Sequence, residues 1–122
     1  MDFVTTDDIK EYVYGKFVDF FGNVSRGVHA NAVDHGFLAE PINDEAELSL
    51  IISEVCEAQE ALRNGNPESP NIPGFSCGEE ELADMMMRGM SYAEGKGWNV
   101  AGAIVAKHEF NKTRPYKHGK EF

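Results

Sequence analysis

Two short motifs hold four carboxylates, Glu54-x-x-Glu57 in "SEVCEAQE" and Glu81-x-x-Asp84 in "EEELADMMMR". A helix turns about 100° per residue, so residues three apart lie about 60° from each other around it. On that geometry Glu54 shares an arc with Leu50, Ile51, Ala58 and Ala61, and Glu57 lies at its margin. Ser49, Ser53 and Glu60 fall nearer the opposite side. Glu81 and Asp84 border a second arc, that of Leu82, Met85, Met86, Gly89 and Tyr92. Two helices packed through these arcs would bring four acids together. Mutual repulsion and the cost of burying an unpaired carboxylate forbid that without cations. Oxygen-only ligands select a hard ion, Mg²⁺ with Mn²⁺ as substitute. Such ions keep places for water and substrate phosphates, so phosphate chemistry is the expectation. A di-iron bundle would use Glu-x-x-His motifs; here the third residue on is Glu57 or Asp84, and no Glu precedes His108 by three.

Singly, most of these acids have an ordinary explanation. Glu81 stands in a first helical turn, where the dipole favours an acid. Asp84 can pair with Arg88 at i+4, and Glu57 can be solvated. Glu54 resists such a reading best, because its neighbours on the helix are apolar.

The C-terminal stretch supplies complementary donors. Lys107 and Asn111 are i and i+4, and Arg114 continues the line at i+7, near the arc of Val100, Ala103 and Ile104. They are expected to face inward and to contact phosphate. Lys112, Tyr116, Lys117, His118 and Lys120 follow in "NKTRPYKHGK"; basic residues there ordinarily complement a helix C-terminus or are solvated. Upstream, His29, Asn31, His35 and Phe37 could form a stacking wall or a base-edge hydrogen bond. A histidine or phenylalanine at helical spacing is more often core.

The elements that must position these residues read as helices throughout. Thr5 or Thr6 with Asp7 and Asp8 opens a first helix carrying Ile9, Val13, Phe17, Phe20 and Phe21, expected to stop near Gly22-Asn23. "VSRGVHANAVDHGF" forms a second, ending at His35-Gly36 with glycine as C-cap. Pro41 and an Asn43 or Asp44 cap introduce a helix from about Glu45 to Arg63. "NGNPESPNIPGFSCG", with Pro67, Pro70 and Pro73, is a loop long enough to suggest a role at a site. Ser76-x-x-Glu79 is a capping box opening a helix to about Glu94. Asn99 caps the last helix, which runs to about Thr113 before Pro115 stops it. Trp98 is expected to anchor packing beside that cap, and Met85-Met86-Met87 to serve core and interface packing. The expected fold is all-α, a four-helix-bundle-like single domain over residues 1–122.

Composition narrows the function classes. With 122 residues and 42% hydrophobic content there is room for one compact domain. Eleven basic residues against 21 acidic give a net charge of −10, which argues against nucleic-acid binding and would repel a free polyphosphate unless a cation intervened. No apolar run approaches a membrane span and the N-terminus lacks signal-peptide character. Cys56 and Cys77 form no metal or redox spacing, so a reduced, cytoplasmic protein is expected.

The order Glu54-x-x-Glu57, a connector, Glu81-x-x-Asp84 and then "KHEFNKTRPYKHG" resembles the signature of the MazG-like all-α nucleoside triphosphate pyrophosphohydrolases, in particular their small, single-domain, often phage-type members. "VHANAVDHGF" is similar to their N-terminal pocket segment, and the likeness covers roughly residues 28 to 120. The resemblance implies hydrolysis of a nucleoside or deoxynucleoside triphosphate to monophosphate and pyrophosphate. Glu54, Glu57, Glu81 and Asp84 would be the Mg²⁺ ligands and catalytic acids. Lys107, Asn111 and Arg114, with Lys112 and Tyr116, would hold the phosphates, and His29 or Phe37 the base. It further implies a homodimer or a dimer of dimers. Many relatives carry tryptophan after the Gly-Phe pair, where this chain has Leu38, which leaves base preference open. Competing expectations are a same-superfamily enzyme acting on dUTP or phosphoribosyl-ATP, a metal- or nucleotide-binding helical module without turnover, and a plain helical interaction domain.

Overall fold

The computed structural model describes residues 6–119 and is all-helical: four α-helices and a closing 3-10 turn at Tyr116–Gly119, with no strand among the described residues. The helices are α1 (Thr6–Asp34), α2 (Asp44–Arg63), α3 (Cys77–Lys96) and α4 (Val100–Lys112). Thr5 and Lys120, named above as a cap and a tail cation, lie outside the described residues. No described helix is long and apolar enough to cross a membrane. The chain divides into two compact units, one formed by residues up to Val24 together with those from Asn99, the other by Ser25–Trp98.

Local chemistry sets the helix ends. Asn43 Oδ1 accepts from the Ala46 amide at 3.1 Å and caps α2. Ser76 and Glu79 form the reciprocal capping box of α3, which ends at Gly97 in a left-handed conformation (φ 73°) that glycine adopts without Cβ strain. Asn99 caps α4 through the Gly102 amide at 2.9 Å. Gly36 (φ 74°) follows α1 in the same left-handed manner.

The break expected at Gly22-Asn23 does not occur: α1 runs unbroken through it. A single helical glycine costs only about 1 kcal/mol relative to alanine, too little to end a helix whose flanking turns are intact.

In the Ser25–Trp98 unit α2 packs against α3 through small residues. Ala58, Ala61 and Ala93 are buried, with Tyr92 the large ring among them and Leu38 covering from the α1–α2 connection. Trp98 packs edge-on to Tyr92 at 5.6 Å between ring centroids but stays more than half exposed. Leu48, Ile52, Val55 and Leu62, at helical spacing on α2, are exposed, as is Met86 on α3. The methionine run is thus not core at its centre.

The segment between α2 and α3 is fastened. Ser69 is 2% exposed; its Oγ donates to Glu80 Oε2 (2.8 Å) and accepts from the amides of Asn71 (3.0 Å) and Ile72 (3.1 Å). Asn66 Oδ1 accepts from the Gly78 amide at 2.7 Å. A Cβ at position 78 would sit 2.8 Å from that oxygen, so the approach requires glycine there. These bonds set where α3 begins, and with it the direction of its acids.

In the other unit α4 turns a different face inward than expected. Ala101 is buried and Val105 and Glu109 half-buried, at i, i+4 and i+8, while Ala103, Ile104, Lys107 and Asn111 are exposed. The apolar residues of α4 lie almost all round it, so its sequence does not single out an arc. The carboxylate of Glu109 decides the matter, because Tyr14 donates to it at 2.6 Å, Lys112 at 2.8 Å, and Lys10 stands 3.5 Å away.

A candidate metal centre beside a cleft

The acids of α2 and α3 meet as expected, but as three rather than four. One carboxylate oxygen from each of Glu54, Glu57 and Glu81 lies within 4.8 Å of the others. Glu54 is 6% exposed, Glu81 half-buried and Glu57 exposed. Asp84, one turn past Glu81, falls outside this triad and lines an adjoining cleft.

Arg88 is the chain's own cation here, though not in the way its i+4 spacing from Asp84 suggests. Its Nε donates to Glu54 Oε1 at 2.7 Å, across from α3 to α2. One guanidinium cannot neutralise the group. The second oxygens of Glu54 and Glu81 are both buried and have no hydrogen-bond partner among the described residues. An ionised carboxylate is acceptor-only, so these oxygens call for a donor or a cation from outside the described residues, or for a proton of their own.

The titration behaviour follows. Burial pushes Glu54 up, but the hydrogen bond from Arg88, those shared with Glu57 and Glu81, and the guanidinium charge leave it net below the usual range. Burial first, then hydrogen bonds shared with Glu57 and Glu54, push Glu81 up to about 7. The crowding of acids thus raises Glu81, while the Arg88 guanidinium holds Glu54 down. Asp84 is raised by burial and by the charges of Glu54 and Glu80, with Arg88 opposing. A divalent ion fits this donor set: three carboxylates with oxygens close together, two of them each keeping an unpartnered buried oxygen, on α2 and on an α3 whose start the Ser76 cap and the Ser69 latch fix.

The cleft has a volume of about 260 Å³ and lies entirely within the Ser25–Trp98 unit. Glu54, Asp84, Arg88, Ser91 and Glu47 form its polar lining; Val28, Ala32, Phe37, Leu38 and Met87, with Asn31, form the rest. Glu54 therefore belongs to both the triad and the cleft. Phe37 is 61% exposed and stacks on His35 at 6.1 Å with an interplanar angle of 9°, leaving ring surface for a ligand. His29 does not line the cleft; its Nδ1 lies 3.1 Å from Ser91 Oγ and so braces a residue that does. No residue of the loop 64–76 lines it, so the loop acts on the site by placing α3.

The expected phosphate donors belong to the other unit. There Lys107 and Arg114 lie over the Phe110 ring at 4.7 and 5.5 Å, Lys112 is paired with Glu109, and Asn111 and Tyr116 are exposed. In the polar lining of the cleft, Glu47 and Ser91 went unnoticed in the sequence, and Arg88 was paired there with Asp84 instead of Glu54. Glu47 is seven residues before Glu54 and so shares its face, a signal that periodicity does contain. Arg88 as the partner of Glu54 is a pairing between helices that local spacing cannot show.

No family model, curated protein or solved structure matches the chain.

Proposed function

We propose that the chain is a MazG-like pyrophosphohydrolase that cleaves a nucleoside or deoxynucleoside triphosphate to the monophosphate and pyrophosphate. The observation that carries this reading is the position of Glu54. It is at once a member of an acid triad with orphaned oxygens and a wall of a cleft large enough for a nucleobase. Glu54, Glu57 and Glu81 would hold Mg²⁺ or Mn²⁺, with Asp84 in reach of the same substrate. When bound, the ion would neutralise phosphate oxygens and make water acidic enough to attack at neutral pH.

The chain's own residues have separate tasks in this reading. Arg88 keeps the Glu54 carboxylate oriented between helices and turns its cation toward the cleft, where a phosphate or sugar oxygen can meet it. Phe37 offers a stacking surface. Water adds to the α-phosphorus as the bond to the α–β bridging oxygen breaks, and that oxygen leaves with pyrophosphate. The resemblance also assigns phosphate contacts to Lys107, Asn111, Arg114, Lys112 and Tyr116, an assignment that rests on the sequence. Assembly into a homodimer or homotetramer is supported by the exposed stripe Leu48, Ile52, Val55 and Leu62, since exposed apolar surface of this kind marks association.

The test is a panel of the common NTPs and dNTPs with Mg²⁺, monophosphate and pyrophosphate being assayed separately, and Glu54→Gln as control. Equal yields of the two products from some triphosphate, lost in the control, are expected. Metal binding without turnover of any triphosphate would instead identify a binding module.

A further inference from the structure

Glu47 has no task in the chemistry above, yet it is 9% exposed and lines the cleft. Among the described residues no hydrogen bond or ion pair reaches its carboxylate. The nearby Tyr92 hydroxyl is already committed, donating to Asp44 Oδ1 at 2.8 Å. Position in the first turn of α2 offsets part of the cost of this burial through the helix dipole, but the dipole favours an acid there without requiring it to line a cleft. The oxygens of Glu47 are not among the closed-off, unpartnered side-chain atoms of the described residues, so they are open to a ligand in the cleft that brings N–H groups.

Its place along α2 says which part of a ligand that is. Glu47 and Glu54 are seven residues apart, two turns and about 10 Å along the helix axis on one face. That is comparable with the span from the α-phosphate of a nucleotide to the far edge of its base. Phe37 lines the same cleft with ring surface to spare.

Resting on the function proposed above, we propose that Glu47 reads the base, accepting hydrogen bonds from a nucleobase that carries an exocyclic amine. Guanine presents two adjacent donors, N1–H and the 2-amine, to both carboxylate oxygens. Cytosine and adenine each present one amine. Uracil and thymine turn a carbonyl oxygen to the same place, where a carboxylate repels it. The chemistry is that by which acidic side chains distinguish cytosine in nucleic-acid grooves. Glutamine at position 47 can donate as well as accept and should erase the distinction.

The experiment uses the 2′-deoxynucleosides themselves, in EDTA, so that it depends on neither metal nor turnover. Binding to the full chain is followed by NMR titration for the guanine, cytosine, adenine, uracil and thymine nucleosides, with wild type and Glu47→Gln. At least one amine-bearing nucleoside should bind about tenfold more tightly than the uracil and thymine compounds, a preference lost in the variant while Tm is unchanged or raised. Uracil bound as well as the amine bases, no nucleoside perturbing the cleft, or a ranking unchanged in Glu47→Gln would each overturn the proposal. The wild-type ranking stands as a test even if the variant fails to fold. If the ranking holds but no triphosphate is hydrolysed, the base reading survives and the proposed reaction falls; hydrolysis without base ranking has the reverse meaning.

Discussion

Glu81 and Glu109 are both half-buried glutamates on helices, and the chain treats them in opposite ways. Glu109 is surrounded by donors: Lys112 first, then Tyr14, with Lys10 adding charge, hold its carboxyl down to about 2. Glu81 is surrounded by acceptors, and burial beside Glu57 and Glu54 pushes it up to about 7. One carboxylate has been given cations by the sequence; the other group has been assembled without enough of them. The difference separates a carboxylate that serves the fold from a group that calls for something from solution.

The widest gap between the two should appear in turnover. Glu54→Gln or Glu81→Gln is expected to lower pyrophosphate release at least ~100-fold, because several kcal/mol of charge stabilisation depends on the acids. Glu109→Gln should leave kcat unchanged. Equal losses in the two regions would erase the distinction. The next largest effect is on stability with metal. Mg²⁺ at about a hundredfold over its Kd should add about 2.7 kcal/mol, seen as a rise in Tm relative to EDTA. The rise should persist in Glu109→Gln and vanish in Glu54→Gln. Arg88→Met comes third. In EDTA it leaves Glu54 buried without the Arg88 guanidinium, and urea unfolding should show a loss of about 2 kcal/mol, below the usual cost for a fully buried pair because Arg88 is partly exposed. Added Mg²⁺ should recover part of that loss.

The finest test is the sign of the pH dependence. Glu81 is raised in the folded protein, so the folded state binds the extra proton between its ordinary 4.5 and about 7. Metal-free stability should therefore fall as pH rises through that window, and Glu81→Gln should flatten the slope. Glu109 is depressed, so its contribution is present above pH 4.5 and lost as pH falls toward about 2. Glu109→Gln should flatten only that acid limb. Mg²⁺ binding displaces the Glu81 proton and should tighten as pH rises through about 7, measurable by calorimetry. Slopes of the same sign in both regions would refute the opposite shifts of Glu81 and Glu109.

What could be read in advance follows how local the determining interaction is. The starts of α2, α3 and α4 were legible because Asn43, Ser76 with Glu79, and Asn99 cap within three residues. The convergence of Glu54, Glu57 and Glu81 was legible because helical period plus one packing contact brings them together. The inward face of α4 was not, since Glu109 is fixed by Tyr14, 95 residues away in the chain. Arg88 likewise chose Glu54 over the nearer Asp84, a choice made by tertiary geometry. The uninterrupted α1 shows the opposite error, a glycine and an asparagine read as a stop when neither was compelled to leave the helix.

The segment joining α2 to α3 is the longest stretch without helix among the described residues, the sort of place where proteases usually enter. Cleavage requires the backbone to leave its own contacts and lie extended in the enzyme. Here Ser69 is held by Glu80, the Pro67 carbonyl by the Cys77 amide, and Asn66 by Gly78. Opening the segment means unfastening the start of α3. The joint between the two acid motifs should accordingly resist nicking until the whole unit unfolds, so that its rate of digestion reports global opening rather than local fraying.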